Sequence, residues 1–253
     1  MKKLMSLLLA LTLLCSLSLV SCSKSPVETV AEALAKTSAL EEYEAEMIME
    51  IVMEVNGEKV EVPVEIDMKV KDAKSEHPTA EMKMEMEMMG ADVDTDVYVE
   101  GEWAYITMGV MKYKAKADEA GMEPTYSEDM LKEIPAEILE TAQVIEEDDG
   151  SVTLSVDIPE DVFADIFDEM IESMGESAGT SYADLKVKDT HVEITVKDGY
   201  VTSYKMDYTM EMSVMGMTVT AEASAVMTFK NIGQPVTINP PKDYKDFPEN
   251  PLF

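Results

Sequence analysis

Residues 43–71 read YEAEMIMEIVMEVNGEKVEVPVEIDMKVK, and this stretch decides the fold. Apolar and charged residues alternate with a period of two over 43–55, and the alternation returns over 60–70. Successive side chains of a strand point to opposite faces of a sheet, so the pattern predicts two strands with one apolar face and one charged face. Asn56-Gly57 between them favours a type I′ turn. The stretch therefore predicts an antiparallel hairpin that other parts of the protein cover on one side only.

The same period recurs along most of the chain. It predicts about six strands in an antiparallel meander, then a short hairpin, then three long strands. The predicted strands after the first hairpin are 80–88, 93–99, 103–106, 111–116, 143–147, 152–158, 192–196, 204–214 and 217–229. Together they predict an α+β, mostly β fold with an antiparallel sheet of about eleven strands.

Three segments have the helical spacing of apolar residues instead. The first begins at Ser25-Pro26-Val27-Glu28, which combines a capping box with a proline at the first helical position. The second runs from Ser127 to about Ala142, and the third covers 159–174. We expect the third helix to cover the sheet because its apolar stripe is wide, comprising Val162, Phe163, Ile166, Phe167, Met170, Ile171 and Met174.

The first residues have the pattern of an export signal. Lys2 and Lys3 precede an apolar run over 4–19, which is too short for a membrane-spanning helix. The run ends in Leu19-Val20-Ser21-Cys22, which resembles the lipobox of bacterial lipoproteins. The resemblance implies cleavage before Cys22 and a diacylglycerol on its thiol, which would hold the protein on the extracytoplasmic face of the cell membrane. An ordinary secretory signal with a chance cysteine is the alternative.

These patterns divide the chain into four parts. Residues 1–21 are the predicted lipoprotein signal peptide, and 22–24 are the lipidated cysteine with a short tether. Residues 25–234 are predicted to form one domain, which is long enough to bury its own core. Residues 235–253 form a Pro-rich C-terminal tail.

The charge balance limits the partners of this protein. The chain has 52 acidic and 20 basic residues, which gives a formal net charge of −32. A strongly negative surface repels nucleic acid and anionic lipid headgroups. We therefore expect no nucleic-acid partner, and we expect the lipid on Cys22 to provide the attachment to the membrane. The sequence does not identify a protein partner.

The most unusual feature of the composition is its 23 methionines. Most of them fall on the apolar face of a predicted strand, where unbranched thioether side chains could re-pack around ligands of variable shape. The alternative is that methionine only fills an irregular core. The candidate ligand-binding residues are Met49, Met53, Met84, Met86, Met210 and Met212 on strands, with Phe163, Phe167 and Met170 on the third helix.

Other chemistry finds little support in the sequence. Met-x-Met spacing is typical of Cu(I) sites, but a period of two already explains it. The acidic run 92–96 lacks the glycine and the final glutamate of a calcium loop. His77 and His191 are the two histidines, and no Ser-His-Asp motif is recognisable. We therefore expect a non-enzymatic protein with no metal site and no cofactor.

The order of elements resembles the lipoprotein-localisation-factor superfamily, which includes the periplasmic lipoprotein carrier and the glycolipid-binding lipoproteins of mycobacteria. The lipobox, the absence of arginine and the start Tyr43-Glu44-Ala45-Glu46-Met47 more closely resemble an uncharacterised family of Gram-positive lipoproteins. The resemblance implies a sheet curled into an unclosed barrel, three helices over its concave face, and an apolar interior that binds acyl chains. A surface interaction or sensor lipoprotein with a filled core, acting through its acidic face, is the alternative.

Overall fold

The computed structural model describes residues 25–55, 58–88, 90–118, 136–163, 186–214 and 217–249. The predicted signal peptide and Cys22 lie outside these ranges. So does the greater part of the helices predicted over 127–142 and 159–174.

Eleven strands form a single antiparallel sheet. Each long strand carries the alternating pattern that places its apolar residues on one face. The strands are β1 (Tyr43–Val55), β2 (Glu58–Lys71), β3 (Thr79–Met88), β4 (Ala91–Glu100), β5 (Trp103–Met108), β6 (Met111–Lys116), β7 (Gln143–Glu146), β8 (Val152–Ile158), β9 (Lys186–Lys197), β10 (Tyr200–Val214) and β11 (Met217–Lys230).

The order of strands across the sheet is β6-β5-β4-β3-β2-β1-β11-β10-β9-β8-β7. Each neighbouring pair is antiparallel, and the first and last strands of the chain pair with each other at the centre. β6 and β7 lie at opposite edges and do not pair, so the sheet does not close into a barrel. The prediction of an unclosed, eleven-stranded antiparallel barrel is confirmed.

The register places the apolar residues of all the long strands on one face, which we call the inner face. Tyr43 of β1 pairs with Val70 of β2, and Ala45 pairs with both Met68 and Phe229. The end of the sheet where β1 begins, which we call the lower end, is fully packed. Its buried residues include Val70, Ala80, Val99, Ala104 and Val201, and the rings of Tyr43 and Phe229 meet edge to face at 5.9 Å.

One helix, α1 (Pro26–Ser38), packs on the inner face against β8, β9 and β10. Its predicted capping box is present, because the Ser25 hydroxyl accepts from the Glu28 N–H while the Glu28 carboxylate accepts from the Ser25 N–H. Val30, Ala33 and Thr37 are buried against the sheet. A second, short helix, α2 (Ala136–Leu139), lies against β8.

The C-terminal tail crosses the outer face of the sheet. The Val236 N–H donates to the Glu42 carboxylate, and the Asn239 N–H donates to the Glu81 carboxylate. A 3₁₀ turn, Tyr244–Asp246, follows. The Tyr244 ring packs edge-on against Tyr98 and Tyr105, with centroids at 5.0 and 4.8 Å. The tail then reaches the edge strand β6, where the Lys114 N–H donates to the Pro248 carbonyl at 2.8 Å. An edge strand that would otherwise expose free backbone groups is thereby partly covered.

Strand β9 begins earlier than the alternation alone indicates. A period of two is readable from Val192, whereas the strand starts at Lys186. Asp207 pairs with His191 and Thr209 pairs with Lys188, so Tyr208 faces two residues of β9 instead of one. Asp189 within this bulge has a left-handed backbone, with φ of 53°. The extra residue breaks the period and hides the first part of the strand from pattern analysis.

We expect the buried hydroxyl of Thr37 to stabilise the contact between α1 and the sheet. It accepts from the Val201 N–H at 2.9 Å and donates to the Ala33 carbonyl at 2.8 Å. Thr37→Val keeps the shape but leaves a buried N–H without a partner, which should lower the free energy of unfolding by about 1–3 kcal/mol. Chemical denaturation measures this change.

Thr29→Val on the same helix is the matched control. Its hydroxyl bonds only to the Ser25 carbonyl at 3.2 Å, in an exposed position. We expect a change within about 0.5 kcal/mol, as for most surface substitutions. Equal effects of the two variants would contradict the role given to Thr37.

Candidate functional site

Ten described methionines on the inner face are half-buried, and we call them together the methionine face. They come from β1, β2, β3, β10 and β11, so the face spans the centre of the sheet. They are Met47, Met49, Met53, Met68, Met82, Met84, Met86, Met206, Met210 and Met227.

The register places long methionines beside short residues. Met49 pairs with Val64 on one side and Ala225 on the other, and Met53 lies opposite Ala221. The small residues Val62, Val64, Ala221 and Ala223 are buried, whereas the methionines beside them stay half-exposed. The thioether side chains therefore form the surface layer of the inner face, above a floor of valine and alanine.

The methionines differ in their contact with the buried core cluster. Met68, Met82, Met206, Met210 and Met227 pack against the buried cluster of the core. Met49, Met53, Met84 and Met86 lie further toward the turns that join β1 to β2 and β3 to β4, which we call the upper end. The methionines of this face that do not pack against the core cluster therefore lie on β1 and β3, whereas Met206 and Met210, level with Met49 and Met53, pack against the cluster on β10.

The candidate ligand-binding residues fall into three groups. Met49, Met53, Met84, Met86 and Met210 lie together on the methionine face. Phe163 is only 3% exposed and belongs to the buried core cluster. The side chain of Met212 is among those that the structure does not describe, and Phe167 and Met170 lie outside the described residues.

Polar groups are few on this face. Tyr208 of β10 lies between Met206 and Met210, and its burial raises the pKa of the phenol above its ordinary value. Thr95 of β4 and Thr190 of β9 are buried. Thr190 could not be selected from the sequence, because the bulge at Asp189 removes the alternation that would have placed it on the inner face.

The acidic run on β4 faces away from this interior. Asp92, Asp94 and Asp96 are exposed on the outer face, while Thr95 between them points inward and is buried. Among the described residues, no three side chains of His, Cys, Asp or Glu come together as metal ligands. The run is therefore the solvated side of a strand.

A hydrogen-bonded Ser-His-Asp chain, which sequence reasoning missed, lies on the outer face of β8 and β9. His191 Nδ1 lies 2.6 Å from Asp157 Oδ1, and its Nε2 lies 3.2 Å from Ser155 Oγ and 3.5 Å from Glu193 Oε1. Pairing of Asp157 with His191 across the strands creates the cluster. The side chain of Asp157 is 91% exposed.

This cluster differs from a hydrolytic centre in its surroundings. β8 is paired on both sides, with β7 and with β9, so the backbone amides beside Ser155 take part in the hydrogen bonds of the sheet. Nucleophilic serine catalysis also needs donors aimed at a developing oxyanion. Within the described strands, the arrangement is a cross-strand hydrogen-bonded chain on the outer sheet face, and it becomes an ion pair when His191 is protonated.

The described strands form an unclosed antiparallel sheet with one apolar face, and the described helices pack on that face. The chain belongs to a family of unknown function, DUF6612, whose model matches residues 25–248. The search of curated proteins found no match to this sequence.

Three solved structures are similar over most of the chain. LprF from Mycobacterium bovis has a TM-score of 0.48 and 14% identity, covering 85% of this chain and 96% of that one. A DUF1329 family protein from Desulfovibrio piger has a TM-score of 0.27 and 6% identity, over 83% and 94% of the two chains. A LolA superfamily protein from Nitrosomonas europaea also has a TM-score of 0.27 and 6% identity, over 83% and 93%.

The described helices do not have the length and apolar character that a membrane crossing requires.

We expect His191 to make stability depend on pH. The hydrogen bond that the His191 ring donates to Asp157 raises the pKa of His191 above its usual value of 6.5, burial opposes this shift, and the charge of Asp157 and the contact with Glu193 add to it. Protonated His191 therefore stabilises the folded state fully below the unfolded pKa, and this contribution is lost as pH rises through the folded pKa. His191→Gln should cost more unfolding free energy at about pH 5.5 than at about pH 8.5.

Asp157→Asn is the partner variant, because Asp157 is the largest cause of the shift. Most of the pH dependence assigned to His191 should disappear in this background, as measured by urea unfolding across the pH range. A His191→Gln effect that is the same at both pH values would contradict the assignment.

Proposed function

We propose that this protein is a membrane-anchored extracytoplasmic lipoprotein that binds lipid or another hydrophobic ligand on the methionine face, without catalysing a reaction. The observation that carries the proposal is the half-buried state of ten methionines on the inner face of an unclosed barrel. Apolar side chains that remain accessible on the inside of a sheet are an unusual use of apolar surface in a protein with an acidic exterior.

The energetics favour a ligand with a long apolar chain. Each buried methylene contributes about 0.8 kcal/mol, so an acyl chain binds without a charged group to hold it. Methionine suits this role because its unbranched thioether adapts to ligands of different shape. The chain has no arginine, the residue best suited to a bidentate grip on phosphate.

The predicted lipid on Cys22 would place the domain where such ligands are found. α1 begins at Pro26, only a few residues after Cys22. The tether is therefore short, and the domain would lie next to the bilayer. Two or more acyl chains are needed for stable anchoring, which agrees with the diacylglycerol that the lipobox implies.

The alternative is a surface interaction or sensor lipoprotein with a filled core. It would work through the outer face, where Glu44 and Glu46 bond to Asn231 and Lys230 and further carboxylates line the strands. The two functions differ in which face of the sheet would be sensitive to substitutions that change polarity. Substitutions on the inner face decide the first, and substitutions on the outer face decide the second.

Native mass spectrometry of residues 23–253, purified without detergent, tests the proposal. We expect a co-purified apolar molecule in a fraction of the protein. The double variant Met49→Gln, Met84→Gln keeps side-chain length but places two amides on the methionine face. Burial of an amide without a partner costs about 1–3 kcal/mol, so a fluorescent fatty-acid analogue should bind about tenfold more weakly or worse.

Glu50→Gln with Glu85→Gln is the matched control. These residues adjoin Met49 and Met84 on the same strands but are exposed on the outer face. We expect their effect on ligand binding to be less than about twofold, since exposed substitutions away from a site are near neutral. If the outer-face pair weakened binding and the inner-face pair did not, the acidic-face alternative would replace the proposal.

A further inference from the structure

The hydroxyl of Thr190 on β9 is buried and unsatisfied. Thr190 is 2% exposed, and its Oγ1 is the buried side-chain N or O atom without a hydrogen-bond partner among the described residues. A buried hydroxyl without a partner carries a cost of desolvation that native proteins rarely leave uncompensated. The position therefore needs an explanation beyond packing.

The backbone places the Thr190 side chain on the inner face. The bulge opposite Tyr208 and the left-handed backbone of Asp189 place Thr190 on the same face as Val192 and Ile194. Thr190 pairs with the buried Ile158 on the other side. β-bulges often re-aim a side chain beside a functional site.

Thr190 lies level with the methionine face. Its cross-strand neighbour Tyr208 stands between Met206 and Met210, and Tyr208 pairs with Ala223 of β11. The next strand continues this row with Ile51. An apolar chain lying along the methionine face would thus pass beside the Thr190 and Tyr208 positions.

Among the described residues, the inner-facing side chains of the strands around Thr190 are uncharged. The inner-facing residues of β8, β9 and β10 in the described ranges are Val152, Leu154, Val156, Ile158, Val187, Thr190, Val192, Ile194, Val196, Val201, Tyr204, Met206, Tyr208 and Met210. An ionised group is costly in such a setting unless a partner charge accompanies it. A polar atom that meets Thr190 must therefore be neutral.

We infer that Thr190 is the hydrogen-bonding point for a neutral acceptor on the bound ligand, and that the ligand class is uncharged acyl esters. A threonine hydroxyl can donate to an ester carbonyl while the acyl chain lies against the methionine face. This inference rests on the proposed function, since it names the chemistry of the ligand that the methionine face would bind. It assigns selectivity to Thr190 and affinity to the methionines.

The test uses residues 23–253, which contain every described helix and strand. A neutral naphthylamine fluorophore is displaced by three probes of equal chain length: methyl decanoate, decane and decanoate. We compare the wild type with Thr190→Val, which keeps the shape of the side chain and removes the hydroxyl.

Thr190→Val should weaken the binding of methyl decanoate about 3- to 10-fold, which is the range of one net hydrogen bond. It should change the affinity for decane less than about twofold. Its melting temperature should equal or exceed that of the wild type, because the variant removes an unsatisfied buried group. Decanoate should bind the wild type more weakly than its methyl ester does, because its carboxylate is charged.

Two further variants complete the design. Thr190→Ser keeps a hydroxyl and should retain the preference for the ester. Thr195→Val lies on the same strand but on the outer face, where its hydroxyl bonds to that of Thr153 at 3.0 Å. It should leave the binding of all three probes unchanged.

The outcomes separate the two proposals. If no probe binds the wild type, the proposed function itself fails. If the probes bind but Thr190→Val weakens the binding of ester and alkane equally, or weakens the binding of neither, the inference fails while the proposed function stands. The latter result would also follow if an ordered water, not the ligand, satisfied the Thr190 hydroxyl.

Discussion

Strands β1 and β11 come from opposite ends of the domain, and their antiparallel pairing joins two otherwise separate halves of the sheet. The pairing runs from Glu44 with Lys230 to Glu54 with Thr220. Most other strand pairs are hairpins or close neighbours in sequence. The β1–β11 pairing closes the longest loop of the sheet, so its formation has the largest entropic cost of loop closure. Its register also brings the inner-facing residues of β1, β2 and β3 into line with those of β10 and β11. The methionine face exists as one surface only because this central pairing is in register.

The unclosed sheet explains how a stable domain can keep accessible apolar side chains. The lower end is filled by Tyr43, Phe229 and the residues under α1, and it holds the core. Toward the upper end, valine and alanine form a buried floor that methionine covers. A flexible, unbranched layer above a rigid floor can change shape without disturbing the strands. The packed lower end and the β10 side would then provide stability, and the methionines of β1 and β3 would provide adaptability.

Local sequence patterns predicted most of the strands and the capping box at Ser25, and the resemblance to the lipoprotein-localisation-factor superfamily implied the unclosed sheet. Alternation with a period of two is a direct consequence of strand geometry, and Ser25 and Glu28 interact within one helical turn. Contacts that depend on distant segments could not be predicted in the same way. The course of the tail over Tyr98 and Tyr105, and the approach of His191 to Ser155, follow from the register between strands. No local pattern encodes that register.

The candidate site was predictable to a similar degree. Strand periodicity placed Met49, Met53, Met84 and Met86 on the inner face, as the structure also places them. Thr190 could not be predicted in this way, because an irregularity, the bulge at Asp189, determines which face of the sheet it lies on. In our proposal, the residue that breaks the local rule would carry the most specific chemistry of the interior, as functional sites often depart from regular patterns.

The central claim is that the methionine face holds an apolar ligand. The most direct measurement is the ¹³C-methyl methionine NMR spectrum of residues 23–253 during titration with methyl decanoate, with assignments from single Met→Leu variants. We expect the methyl signals of Met49, Met53, Met84 and Met86 to shift together and to saturate with one affinity. Binding of the ester with these signals unmoved, or no binding at all, would contradict it.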